Sequence, residues 1–66
     1  SARDLTAEHG PMLGRLFAAA AEIARDRGIA EAGYRLVTNA GRAAGQSVDH
    51  LHWHLMGGRS FSWPPG

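Results

Sequence analysis

Three of the chain's four histidines stand at every second position, His50, His52 and His54, with Leu51, Trp53 and Leu55 between them. Imidazole ionises near neutrality, so it serves as a proton carrier, a metal ligand or a nucleophile. In a strand, successive side chains point to opposite faces. Strand geometry therefore predicts three rings on one face, about 6 to 7 Å apart, with the apolar row on the other.

Three readings of this row stand open on pattern alone. The first is a solvated polar face. The second is metal binding, since imidazoles two apart on a strand can share one ion with a ligand from elsewhere. A straight row of three spans too far to close on one ion, the chain has no cysteine, and Asp49 falls on the opposite face. The third is nucleophilic attack by an imidazole nitrogen on phosphorus, through a covalent intermediate, with a neighbour fixing the tautomer. The stretch just before the row suits that reading. Gly45, Gln46 and Ser47 can aim backbone N–H groups and a hydroxyl at a phosphate.

The elements that position this row read as a helix followed by a hairpin. Residues 6 to 27 carry Leu13, Leu16, Phe17, Ala20, Ile23 and Ala24 at helical spacing. Thr6 suits the N-cap and Gly28 the C′ position. Pro11 leaves two starts open: a short turn over 6 to 9 followed by a helix from Gly10–Pro11, or a helix that carries the proline early. Phe17 and Ile23 are expected in the core, and His9 on the surface. Residues 34 to 39, "YRLVTN", alternate as a strand. Residues 47 to 56, "SVDHLHWHLM", alternate as a longer one, and the two are expected to pair antiparallel. Leu51, Trp53 and Leu55 are expected as packing residues under the helix. Tyr34 and Phe61 suit either core or interface. The tail, 57 to 66, is irregular, with Pro64 and Pro65 excluding a ladder.

Composition narrows the classes. The chain has 66 residues, and its net charge is +1, with seven scattered arginines and no lysine. No basic cluster with interleaved aromatics marks a nucleic-acid footprint. A single bound phosphate needs few charges and stays open. No apolar run is long enough to span a membrane. The absence of cysteine fits a reducing, cytoplasmic setting. One helix on a two-stranded hairpin is marginal alone, so a second copy or further chain is expected to complete the sheet.

With these residues in place, a family resemblance emerges. "GYRLVTNAGRAAGQSVDHLHWHLMGGRSFSWPPG", residues 33 to 66, resembles the C-terminal half of the histidine triad (HIT) family, Hint branch. The motif His-φ-His-φ-His-φ-φ, with φ hydrophobic, is filled by residues 50 to 56. It is flanked by "NAG" at 39 to 41, "GQSV" at 45 to 48, "GGR" at 57 to 59 and "WPPG" at 63 to 66. The resemblance implies an α+β fold, the C-terminal part of one HIT domain over 1–66. It also implies a homodimer formed through strands and long helices, with no cofactor and no metal. It implies a nucleotide-binding hydrolase or transferase that acts on the α-phosphate of purine nucleoside phosphoramidates or adenylates through a nucleotidyl-histidine. In that scheme His52 is the nucleophile, the His50 carbonyl holds its other ring nitrogen, and His54 lies against the phosphate oxygens. Ser47 protonates or orients the leaving amine, Asn39 meets the ribose–phosphate linkage, and N–H groups at Gly45, Gln46 and Ser47 bind phosphate. Trp63 reaches the partner's site near the leaving group. Asp49 stands where relatives more often carry an aromatic or apolar residue. Relatives also carry an N-terminal part with the nucleoside pocket and a further histidine. The expected activity of these 66 residues alone is therefore weak or nil, and a non-catalytic nucleotide-, phosphate- or metal-binding module is the alternative.

Overall fold

The computed structural model describes residues 1–65, and Gly66, the last residue of the expected tail, lies outside them. Helix α1 runs Gly10–Asp26, followed by strands β1, Tyr34–Val37, and β2, His54–Gly57. Short 3₁₀ turns cover Ala2–Asp4, Ala7–His9 and Arg42–Ala44. This is the expected α+β order of one long helix and a two-stranded antiparallel sheet.

The helix starts later than residue 6 because Pro11 falls in its first turn, where a missing N–H costs nothing. The alternative with a turn before Gly10 is the one observed. His9 closes that turn: its Nδ1 accepts from the Thr6 N–H at 2.9 Å, and its own N–H donates to the Thr6 carbonyl at 3.0 Å. At the other end Gly28 takes φ +74, a left-handed conformation cheap only for glycine. Gly28 N–H then donates to the Arg25 carbonyl and Ile29 N–H to the Ala24 carbonyl, at 3.1 and 2.9 Å. That pair of bonds closes the helix and turns Ile29 back toward the sheet. There Ile29 meets Gly57, where a Cβ would stand 2.6 Å from Ile29 Cδ1 and 3.0 Å from its Cβ.

The sheet register pairs Tyr34 with Gly57, Arg35 with Met56, Leu36 with Leu55 and Val37 with His54. Leu36 and Leu55 face α1, while Val37 and His54 share the opposite face. The strand expected over 47–56 is thus paired only from His54. A strand needs a ladder partner, and β1 ends at Val37, so residues 47 to 53 run unpaired. β1 is likewise shorter than 34 to 39.

Among the described residues only Ala20 and Ala24 are buried. An open groove of about 420 Å³ lies between the helix and the sheet, lined chiefly by Met12, Leu16, Ile23, Leu51, Trp53 and Leu55. Leu51, Trp53 and Leu55 are half-buried on this side, as expected. Phe17 and Ile23 are not core: they are 53 % and 48 % exposed. A single hairpin is too narrow to cover the whole apolar stripe of a helix this long. No helix among the described residues is long and apolar enough to cross a membrane.

Candidate active site

The histidine row survives the loss of the ladder. The rings of His50 and His52 have centroids 6.0 Å apart, and those of His52 and His54 5.1 Å, both pairs edge-on. Among the described residues, no group of three histidine, cysteine, aspartate or glutamate side chains is placed to hold a metal ion.

The three members are unequal. His52 is half-buried, while His50 and His54 are exposed. His52 Nδ1 lies 3.0 Å from the main-chain oxygen of His50. A carbonyl only accepts, so Nδ1 carries the hydrogen, and in the neutral ring Nε2 then holds the free lone pair. The His52 carbonyl in turn accepts from the Thr38 hydroxyl at 2.8 Å. Asn39, the residue after Thr38, is half-buried.

The loop before the row is closed by Gln46. Its Oε1 accepts from the Gly41 N–H at 2.7 Å, and its Nε2 donates to the Val48 carbonyl at 2.9 Å. Its main-chain N–H donates to the Gly41 carbonyl at 3.2 Å, and the Gly45 N–H donates to the Arg42 carbonyl at 3.0 Å. The N–H groups of Gly45 and Gln46 are therefore engaged within the loop in this chain. The Ser47 N–H is not among the loop's internal bonds, and its side chain is exposed. Gly45, at φ +85, provides the left-handed turn that brings Gln46 back onto Gly41.

The tail is held from β1. Arg35 donates from Nη1 to the Pro65 carbonyl and from Nη2 to the Ser62 carbonyl, each at 3.2 Å. The guanidinium groups of Arg35 and Arg59 lie 4.6 and 4.5 Å from the centroid of the Phe61 ring. Phe61 is thus half-buried as a tail anchor. Trp63 projects from this clamped tail, 85 % exposed. An arginine in an alternating strand looks solvent-facing, and its pairing with carbonyls some thirty residues away leaves no local signal.

The sequence and the fold have counterparts in known proteins. A model of the HIT domain family matches residues 2–61. An uncharacterised HIT-like protein of Synechococcus elongatus is 54 % identical over 96 % of this chain and 54 % of its own length. The purine nucleoside phosphoramidase of Escherichia coli is 55 % identical over 85 % of this chain and 47 % of its own. The adenylylsulfatase HINT1 of Arabidopsis thaliana is 50 % identical over 88 % of this chain and 39 % of its own. The chain thus spans about half the length of these relatives, or less. Among solved structures, a HIT family hydrolase from Legionella pneumophila superposes with a TM-score of 0.91 at 41 % identity, covering 97 % of this chain and 57 % of the other. One from Clostridium thermocellum gives 0.84 at 47 % identity, covering 91 % and 52 %. In motif, in sequence and in backbone, over most of its length, the chain belongs to the HIT domain family.

Proposed function

We propose that the protein carrying this chain is a nucleotide hydrolase or transferase that cleaves purine nucleoside phosphoramidates or adenylates through a nucleotidyl-histidine. One observation carries the reading: the hydrogen bond from His52 Nδ1 to the His50 carbonyl, which leaves Nε2 as the free, oriented nucleophile. The names of the phosphoramidase and adenylylsulfatase relatives support the substrate class.

The chemistry balances in two steps. The Nε2 lone pair of His52 forms a bond to the α-phosphorus as the P–N bond breaks. The leaving nitrogen takes a proton from solvent, relayed by the Ser47 hydroxyl, and departs as the free amine. Water then attacks the same phosphorus and gives a proton back to solvent, the Nε2–P bond breaks, the nucleoside monophosphate leaves and the imidazole is restored. Ser47, through its hydroxyl and N–H, serves the phosphate and the leaving amine. His54 faces the phosphate oxygens, and Asn39 the ribose–phosphate linkage. Gly45 and Gln46 shape the loop that presents Ser47. A positioned proton-transfer partner of this kind contributes roughly 10²- to 10⁴-fold.

The working form is read as a cytoplasmic homodimer, with Trp63 of one copy reaching the site of the other. The exposed Phe17 and Trp63 support this, since each offers apolar surface with nothing over it in one chain. The 66 residues alone are read as weakly active or inactive, because the apolar groove beside the row stays open.

The deciding experiment is a rapid acid-free quench of the whole protein with adenosine 5′-phosphoramidate, followed by intact-mass analysis. One added nucleotidyl group, absent in His52→Ala, is the expected result. Undiminished turnover by His52→Ala would overturn the proposal.

A further inference from the structure

Thr38 sits one residue past the last ladder pair, Val37 with His54. The main-chain ladder stops there, and a side chain takes over: the Thr38 hydroxyl donates to the His52 carbonyl at 2.8 Å in a part-buried setting. His52 is therefore tied at two points, its ring to the His50 carbonyl and its own carbonyl to Thr38. No ladder bond holds residues 50 to 53, so these two bonds set where the imidazole stands.

We infer that Thr38 is a positioning residue for the His52 nucleophile. The inference rests on the reading of His52 given above. The threonine suits the task for a local reason. Its β-branched side chain is stiff at χ1, so its hydroxyl is offered in few directions. The bond it makes is neutral and lies on the main chain, away from the substrate. Its loss displaces Nε2 without altering the groups that bind nucleotide. A displacement on the order of 1 Å at a reacting atom is enough to cost up to about a hundredfold in rate.

The test compares Thr38→Val, which keeps the shape and removes the hydroxyl, with Thr38→Ser, which keeps the hydroxyl. Both are made in the whole protein and assayed with adenosine 5′-phosphoramidate. The expected result is a fall of about tenfold in kcat for Thr38→Val, with KM within about twofold. Thr38→Ser is expected to recover most of the rate. A merely structural role would not produce that split or that rescue. A Thr38→Val enzyme within twofold of the original kcat overturns the inference, as does a Thr38→Ser enzyme no faster than Thr38→Val, or a loss confined to KM. Should Thr38→Val fail to fold, Thr38→Ala takes its place in the same comparison. His52→Ala is run beside them. If it still turns over, the nucleophile reading itself has failed; if it is dead while Thr38→Val is fast, only this inference has.

Discussion

The Nδ1 of His52 stands 3.0 Å from the main-chain oxygen of His50. Two residues of one motif are thereby joined through a backbone atom and not through two side chains. The consequence is an asymmetry that the repeating pattern hides. His52 contributes its ring, whereas His50 contributes a carbonyl that any residue would supply.

The first prediction follows from that asymmetry. His50→Ala keeps the carbonyl, so the His52 tautomer is retained. Its kcat is expected to stay within about a hundredfold of the original, below the usual effect of removing a positioned acid or base. His52→Ala is expected to lose at least about a thousandfold. Steady-state assays of the two variants check this. Equal losses in both would show that the His50 ring itself takes part.

A second prediction concerns Gly57. A Cβ at that position would meet three atoms of Ile29, at 2.6, 3.0 and 3.2 Å. The Ile29 Cβ among them belongs to the rigid base of the side chain, and Ile29 is held by its N–H bond to the Ala24 carbonyl. Gly57→Ala is therefore expected to destabilise the protein by about 1 to 3 kcal/mol, as overpacking does. Removing the Ile29 side-chain tip should return part of that loss. A denaturation series on Gly57→Ala, Ile29→Ala and the double variant reads the coupling. Strict additivity would rule out the contact as the cause.

Much of this was legible in the sequence, and the gaps have physical causes. Helical spacing from Leu13 to Ala24 marks α1, and the alternation at Tyr34–Val37 marks β1, because both patterns are local. The histidine row is legible for the same reason. The extent of β2 is not, since alternation tells which face a residue takes but not whether a partner strand lies alongside. Phe17 and Ile23 fit the helix stripe yet stay exposed, because a stripe says nothing of how wide its cover is. The bonds of Arg35, Gln46 and Thr38 join groups whose pairing depends on the folded path, and no spacing rule encodes them.

Arg35 gives the third prediction. Its two guanidinium nitrogens hold the carbonyls of Ser62 and Pro65, and its plane lies over Phe61. Lysine keeps the charge but lacks the fork. Arg35→Lys is thus expected to free the tail while changing global stability by no more than about 1 kcal/mol, the usual worth of such exposed contacts. Backbone relaxation at Ser62 and the indole N–H of Trp63 would report faster motion in the variant. Unchanged relaxation at both positions would show that the clamp is not what orders the tail.

The last prediction concerns assembly. Phe17 is 53 % exposed and borders a second groove with Leu36, Val37, Trp53 and Pro65. That groove runs along α1 and β1, the two elements through which the proposed homodimer is expected to meet. Burying a phenylalanine side chain is worth about 1.5 to 3 kcal/mol. In a two-fold dimer each substitution acts twice. Phe17→Glu removes that burial and places two like charges near the axis. The expected loss of at least about 3 kcal/mol raises the dissociation constant a hundredfold or more. Sedimentation equilibrium of the whole protein, with and without Phe17→Glu, measures it directly. If the variant sediments as the unmodified dimer does, the helix face bearing Phe17 is not the interface. Ile23, on the groove facing Leu51 and Trp53, serves as the comparison. Ile23→Glu should lower thermal stability without the same rise in dissociation constant, because its groove lies between the helix and the sheet of one chain.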